Sequence, residues 1–372
     1  LLTEAAEVVR QISEGLTQDR ESFVKSKYLR KQDQRKAYLL YYVTTNFLKL
    51  WPPLRELAQS GFFDRTEIDH LDVGSGPGTA AFGLWSYLRS IDRKSACSSM
   101  LTDSLTENLV EAERALRPYA KQLLMNTSLA TTAWDLRNAA TVPESVKSKQ
   151  HDIITMMNVI NELPEDVDDT LIDRLLSMLK DDGAIVMIEP STRELSRRAL
   201  RFRDRLVSHK AFVYAPCTRN GGCPALEDPD NWCHTDVRWE RPAFIKFIDD
   251  LAGTLRLSLK YTYGVFLKQD RNLSDLHQEE RNYNTTGRIV SEVFLEKGRT
   301  RLILCNQEGR REHVMNKRDK TEQNRDIQKA ERYDLVVTRD LEVRDHDVKV
   351  TEGSVFNIKS DFSGAPNVDK WG

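Results

Sequence analysis

The stretch "LDVGSGPGT", residues 71–79, decides the architecture. The apolar run "IDHL" leads into Asp72, Gly74, Gly76 and Gly78 follow in alternation, and "TAAFGLWSYLRSI" then carries a helical pattern. Glycine is needed where a backbone turns sharply and lets a ligand lie directly on it. A strand, a glycine turn and a helix N-terminus together make a ligand-binding corner. Dinucleotide sites prefer G-x-G-x-x-G; the spacing here is G-x-G-x-G, preceded by an acid.

Working outward, strand-like and helix-like segments alternate. "SACSSMLTD", part of "LLMNTSLATTAWD", "HDIITMMNVI" and "GAIVMIEP" read as strands, with helical runs such as "SLTENLVEAERALRPYA" and "EDVDDTLIDRLLSMLK" between them. That order predicts an α/β fold, a doubly wound parallel sheet. Residues 1–66 read as a helical region interrupted at Pro52-Pro53. After Pro190 come a basic helix, Glu194–Ser208, then a cysteine-rich stretch within 211–240, a further helix and two strand-like runs. Lys297-Gly298 marks a hairpin turn. The expected organisation is a helical region at 1–66, a sheet domain at 67–305 carrying the insertion, and an extension at 306–372 with a small β module.

Of the 372 residues, 40% are hydrophobic, enough for a substantial core, and no apolar run reaches the length of a bilayer span. The net charge of −2 argues against a uniformly basic nucleic-acid binder. Basic clusters at Arg30–Lys36, Arg197–Lys210, Lys297–Arg301, Arg310-Arg311 and Lys317–Lys320 read individually as solvated faces. Gathered on one side, they would make phosphate contacts. The chain opens on Leu1 rather than Met, which suits a trimmed start and leaves targeting open.

The glycine loop resembles motif I of the class I S-adenosylmethionine (SAM) methyltransferases. The resemblance implies a Rossmann-like SAM-binding sheet with Asp72, Gly74, Ser75, Gly76 and Gly78 against the donor. It places Asp72 near the ammonium group and Asp103 at the ribose diol, where a carboxylate accepts two hydrogen bonds. Asp135 falls near the adenine amine and Asn158 beside the methyl group. No catalytic motif is visible. Where enzymes of exocyclic base amines carry Asp/Asn-Pro-Pro-aromatic, this chain has "NVINELPED". Carbon-5 pyrimidine chemistry needs a cysteine nucleophile, and Cys97 reads as a small core residue. Glu162 and Glu189 are the carboxylates available as a base, or as structural groups.

Cys217, Cys223 and Cys233 lie within "CTRNGGCPALEDPDNWCH", spaced C-x5-C-x9-C, and Cys305 ends "TRLILC". A turn-rich loop with three thiols and a distant fourth favours a metal site over a disulfide pair or unconnected cysteines. Zinc knuckles use closer C-x2-4-C pairs, and iron–sulfur clusters tolerate irregular spacing. His234 stands beside the third cysteine as a substitute ligand, and spacing leaves zinc and iron–sulfur both open. Trp232 and Trp239 are either packing residues or stacking platforms for bases.

In order along the chain, the glycine loop, "NVINELP", "MIEPSTRE", "APCTRNGGCP…NWCH" and "LILCNQEG" resemble the methyltransferase-like family that accompanies small-ribosomal-subunit maturation (Rsm-twenty-two type). That family is known from mitochondria, with bacterial relatives. The resemblance covers roughly residues 25 to 320, and it departs over the final seventy or so. It implies SAM in the glycine loop and a [4Fe-4S] cluster on Cys217, Cys223, Cys233 and Cys305. It also implies docking on small-subunit rRNA with ribosomal proteins or assembly factors, without DNA or membrane. The compartment would be the mitochondrial matrix or, in a bacterial member, the cytoplasm. Two alternatives accompany this reading: an active SAM-dependent rRNA methyltransferase, and a small-molecule methyltransferase with a structural zinc loop.

Overall fold

Strand β1 (Glu67–Val73) and the helix Thr79–Ser90 flank the glycine turn, and the units that follow repeat that order. The computed structural model describes residues 2–18, 20–92, 95–122, 126–277 and 285–360. Strands β2 (Ala96–Asp103), β3 (Thr127–Ala133), β4 (His151–Met157) and β5 (Leu179–Pro190) join β1 in parallel. Strands β6 (Phe212–Ala215), β7 (Thr235–Arg238) and β8 (Ser258–Leu267) complete this sheet. Its order is β3-β2-β1-β4-β5-β8-β6, with β7 also on β8. β8 runs antiparallel to β5, Ile188 facing Tyr263. The order reverses direction between β1 and β4, and at such a switch point a crevice opens beyond the strand ends.

Helices cover both faces, so the central strands are buried on both sides, with polar residues such as His70 and Thr155 buried among the apolar ones. Every residue of β4 is buried: Ile153 packs on the side of Leu84 and Trp85, and Ile154 and Met156 pack on the side of Leu171 and Leu175. Each such side chain contributes roughly 1.5–3 kcal/mol when fully buried. The helical lead-in occupies residues 2–64 and joins the first of these cores through Val9, Ile12, Tyr41, Leu54 and Leu57. Pro52 and Pro53 sit in the first turn of the helix Trp51–Ala58. There a missing N–H costs nothing, so the prolines start a helix rather than break one.

A second sheet begins at residue 285. Its strands are β9 (Thr285–Ile289), β10 (Phe294–Leu295), β11 (Arg299–Asn306), β12 (Gly309–Asn316), β13 (Leu335–Arg339), β14 (Glu342–Val343), β15 (Val348–Val350) and β16 (Val355–Ser360). They are ordered β14-β15-β12-β11-β9-β13-β16, with β10 on β11. Alternate residues Leu302 and Leu304 point into a core with Met315, Val336 and Phe356.

This corrects the expected boundary at 305. The strand ending in Cys305 pairs with β9, β10 and β12, and β8 rather than this strand continues the first sheet. Residues 299–306 therefore belong with the C-terminal β module, which is larger than expected. The end of the extension, 361–372, lies outside the described residues.

Candidate functional site

The crevice at the switch point is a cavity of about 140 Å³, and Asp72, Gly74, Ser75, Gly76, Asp103, Asp135 and Asn158 all line it. Gly74, Gly76 and Gly78 have φ of 64°, 53° and 87°, left-handed values that glycine adopts without a Cβ penalty. Around a Cβ added to Gly76 there is nothing within 4 Å, so the backbone itself faces the cavity there. A Cβ on Gly74 would meet Val159 at 2.6 Å, and one on Gly78 would meet Leu116 at 2.7 Å. Gly78 is not part of the cavity lining. It lets the following helix pack closely, a structural role where ligand contact was expected.

The carboxylates are held by local donors. Asp103 Oδ2 accepts from Gly76 N–H (2.9 Å) and Oδ1 accepts from Leu105 N–H (2.8 Å) and Asn108 (3.2 Å). Oδ2 thus retains acceptor capacity toward the cavity. Burial raises the pKa of Asp103 despite these donors. Asp72 is fully buried, and burial pushes it up to about 7 against the lowering effect of Thr155 and the Ala81 N–H. Asp135 is exposed at the rim, taking the Arg137 N–H at 3.1 Å. Asn158, at φ 60°, turns the chain out of β4.

Glu162 and Glu189 separate cleanly. Glu189 is fully buried and accepts from the N–H groups of Val159 (2.9 Å) and Ile160 (2.8 Å) and from the Asn161 amide. It pins the "NVINELP" loop and does not line the cavity. Glu162 does line it, at the mouth, with 37% of its side chain exposed and Arg20 3.9 Å away; the surrounding protein raises its pKa against the pull of Arg20. Sequence reasoning missed the outer wall, supplied by Val24, Lys27, Tyr28, Leu29 and Tyr38 of the helical lead-in. No spacing in the sequence announces a contact between segments so far apart. Cys97 is buried in β2 near Ser99, away from this cavity.

A second cavity, about 30 Å³, is lined by Cys217, Cys223, Cys233 and Cys305 together. Three come from the insertion on the first sheet and Cys305 from β11 of the second. Burial first, then the charges of Cys217 and Cys233, push the Cys305 thiol up to about 12. Among the described residues no group of three or more His, Cys, Asp or Glu side chains is arranged to hold a metal ion. Buried donors also ring the cavity without partners: Arg203 Nε, Arg219 Nε, Arg288 Nη2, Arg310 Nη1 and Trp232 Nε1. Unpaired buried donors are costly, and such a ring suits an anionic occupant. The Tyr333 hydroxyl stands 3.0 Å from Cys233 Sγ. His234 stacks on Trp232 and is not part of the lining.

The basic helix, Arg193–Ser208, turns Arg197 and Arg203 toward this site, while Arg193 and Arg201 are exposed. Arg197 donates to the carbonyls of Ala225, Leu226, Asp228 and Asn231, wrapping the cysteine loop. Arg203 donates to the carbonyls of Arg219 and Gly221. Arg198 makes a buried bidentate pair with Asp168 (2.6 and 2.8 Å), and Arg201 pairs with Glu165. Neither tryptophan stands free to stack on a base: Trp239 is buried and donates to Arg256 O (2.8 Å), and Trp232 closes the cysteine cavity.

Residues 32–336 match the family model described as "Rsm22: Mitochondrial small ribosomal subunit Rsm22". The chain belongs to the Rsm22 family. Among curated proteins no significant match is found. Solved structures overlap in part. TehB from Haemophilus influenzae is 10% identical, with a TM-score of 0.34, over 55% of this chain and 58% of that one. A TehB-like SAM-dependent methyltransferase from Corynebacterium glutamicum is 16% identical, with a TM-score of 0.33, over 58% and 95%. An O-methyltransferase family protein from Burkholderia thailandensis is 13% identical, with a TM-score of 0.36, over 66% and 63%. The strand order described above, rather than these overlaps, defines the architecture of this Rsm22 member.

Proposed function

We propose that this Rsm22-family chain is an assembly factor of the mitochondrial small ribosomal subunit that works in the matrix. In this reading it binds SAM in the glycine-loop cavity, holds a [4Fe-4S] cluster between its two sheets, and docks on small-subunit rRNA. The observation that carries the cluster is the convergence of four cysteines from both sheets on one cavity ringed by unpartnered donors. Zinc needs all its sulfurs about 2.3 Å from one point. Iron–sulfur clusters take four thiolates, and an anionic cluster would satisfy the arginine and indole donors. Cys217, Cys223, Cys233 and Cys305 are the ligands, and the cluster supplies a staple between the insertion and the C-terminal β module.

At the other cavity, Gly76 backbone, Asp103 and Asp135 hold the donor's glycine-loop side, ribose and adenine in this reading, and Asp72 offsets its ammonium charge. Bound SAM supplies an electrophilic methyl group. Glu162, lining the same cavity with a raised pKa, favours a second reading in which a methyl group is transferred. In that reading Glu162 accepts the proton that the attacking nitrogen or oxygen loses, and S-adenosylhomocysteine leaves.

Anaerobic purification tests the first reading: a brown protein with broad absorbance near 400 nm, lost in Cys223→Ser, is expected. A colourless, zinc-loaded protein would overturn the cluster. Labelled SAM with immature small subunits separates the two readings. Methyl incorporation abolished by Glu162→Gln supports transfer, and assembly rescued by Glu162→Gln without incorporation supports a scaffold.

A further inference from the structure

With Arg197 and Arg203 of the long basic helix committed to the cysteine loop and Arg198 and Arg201 paired with Asp168 and Glu165, the cations still open to solvent include a group at one end of the second sheet. The β10–β11 hairpin carries Lys297 at its tip, and the Lys317 N–H donates to Gly298 O at 3.0 Å, which brings the turn after β12 alongside. Lys297, Lys317, Arg318 and Lys320 are all exposed there. The nearby acids are already answered: Glu296 by Arg299 (2.6 Å) and Arg301 (2.7 Å), Glu312 by Arg301 (2.8 Å), and Asp319 by Lys349 (3.5 Å). Lys297, Lys317 and Lys320 are left with no carboxylate partner among the described residues.

An apolar side chain stands in the same patch, Phe294 at 41% exposure. The Arg301 guanidinium lies 4.4 Å from the Phe294 ring centroid, holding one face of the ring. Cations around a braced, exposed aromatic form the combination that grips single strands, with phosphates on the lysines and a base on the ring. Duplex RNA would be read by shape across a groove and would gain nothing from Phe294.

Along β11 the buried residues alternate, so Arg299, Arg301, Ile303 and Cys305 share the opposite face. From Cys305 to Arg299 is six residues, roughly 20 Å at strand rise. The hairpin patch and the cysteine cavity therefore lie on one face of the same sheet.

We infer that the β10–β11 hairpin and the turn after β12 form a binding surface for single-stranded RNA, with Phe294 as the stacking platform and Lys297, Lys317, Arg318 and Lys320 as phosphate contacts. The inference rests on the proposed docking to small-subunit rRNA, and names the surface that makes one of its contacts. Charge complementarity selects RNA over an apolar protein segment as the occupant.

Fluorescence anisotropy of the full chain with a labelled single-stranded RNA dodecamer, across a salt series, tests it. Lys297→Glu/Lys317→Glu is expected to weaken binding at least tenfold and to flatten the log–log salt slope by about 1.4, two contacts at about 0.7 each. Phe294→Ala is expected to weaken binding about tenfold with the slope unchanged. Lys246→Glu, a single charge reversal on an exposed lysine of the helix Ala243–Ala252, should have little effect. Circular dichroism verifies that each variant is folded. If the hairpin variants bind like the wild type, or no more weakly than Lys246→Glu, the surface is wrong although docking stands. If the wild type binds neither the dodecamer nor small-subunit rRNA, the docking reading falls too. If the variants lose a ribosomal protein while keeping RNA, the surface serves a protein and the inference is overturned.

Discussion

Arg288 of β9 and Glu56 of the helical lead-in form a buried ion pair at 2.9 Å, with side-chain exposures of 2% and 1%. The guanidinium also donates to Pro216 O (2.8 Å) and Tyr333 O (2.7 Å), and the Tyr263 hydroxyl donates to Glu56 (2.6 Å). One pair thus ties together the lead-in, the first sheet, the start of the cysteine insertion and the second sheet. A buried charge that keeps its partner roughly breaks even, and one that loses it does not.

Glu56→Ala should therefore destabilise the chain by about 3–5 kcal/mol, the range for orphaning a buried charge. Urea denaturation followed by circular dichroism measures the loss. Arg288→Met in the same background should restore part of it, since no charge then remains buried.

On the proposed cluster, to which the second sheet contributes only the Cys305 sulfur, Cys305→Ser should remove the chromophore and make the region beyond residue 285 more susceptible to limited proteolysis. Cys97→Ala should leave both unchanged. Retention of the absorbance near 400 nm in Cys305→Ser would remove Cys305 from the ligand set.

Asp72 is held near 7 chiefly by burial, above its usual 3.8. Between those values the folded state keeps a proton that the unfolded state releases, so this group's contribution to stability falls as pH rises through that window. Above about 7 the folded chain carries the full cost of a buried charge. Asp72→Asn should therefore be more stable than the wild type at pH 8 by a few kcal/mol, with the gap closing toward pH 5. On the proposed SAM reading, the same substitution should weaken SAM binding at pH 8, measured by calorimetry, because the offsetting charge is gone.

Glu189→Gln replaces one acceptor oxygen with a donor beneath the Val159 and Ile160 N–H groups. A loss of about 1–3 kcal/mol is expected from unsatisfied buried groups, together with weaker binding in the cavity that Asn158 and Val159 line. Thermal unfolding and ligand titration measure the two effects separately.

Arg197→Ala separates a structural arginine from a phosphate contact. Its donor set is consumed by four loop carbonyls, so the variant should lose chromophore on storage while its RNA salt slope stays at the wild-type value. A slope flattened by about 0.7 would return this helix to the RNA-binding surface.

Local patterns carried much of this protein. The glycine alternation after Asp72, the apolar strands and the helices between them specify a doubly wound sheet, because turn chemistry and hydrophobic period act over a few residues. The cavity at the glycine loop gathers Asp103, Asp135 and Asn158 because each follows a parallel strand, and parallel strands end on one side. The cysteine composition likewise marked a cluster without geometry. Tertiary structure alone decided the rest: that β11 joins a second sheet, that Val24, Lys27, Tyr28, Leu29 and Tyr38 wall the glycine-loop cavity, and that Arg197 and Arg203 of the basic helix spend their donors on loop carbonyls. Strand partnership and side-chain pairing across hundreds of residues depend on which surfaces meet in the folded chain, and no local period encodes that meeting.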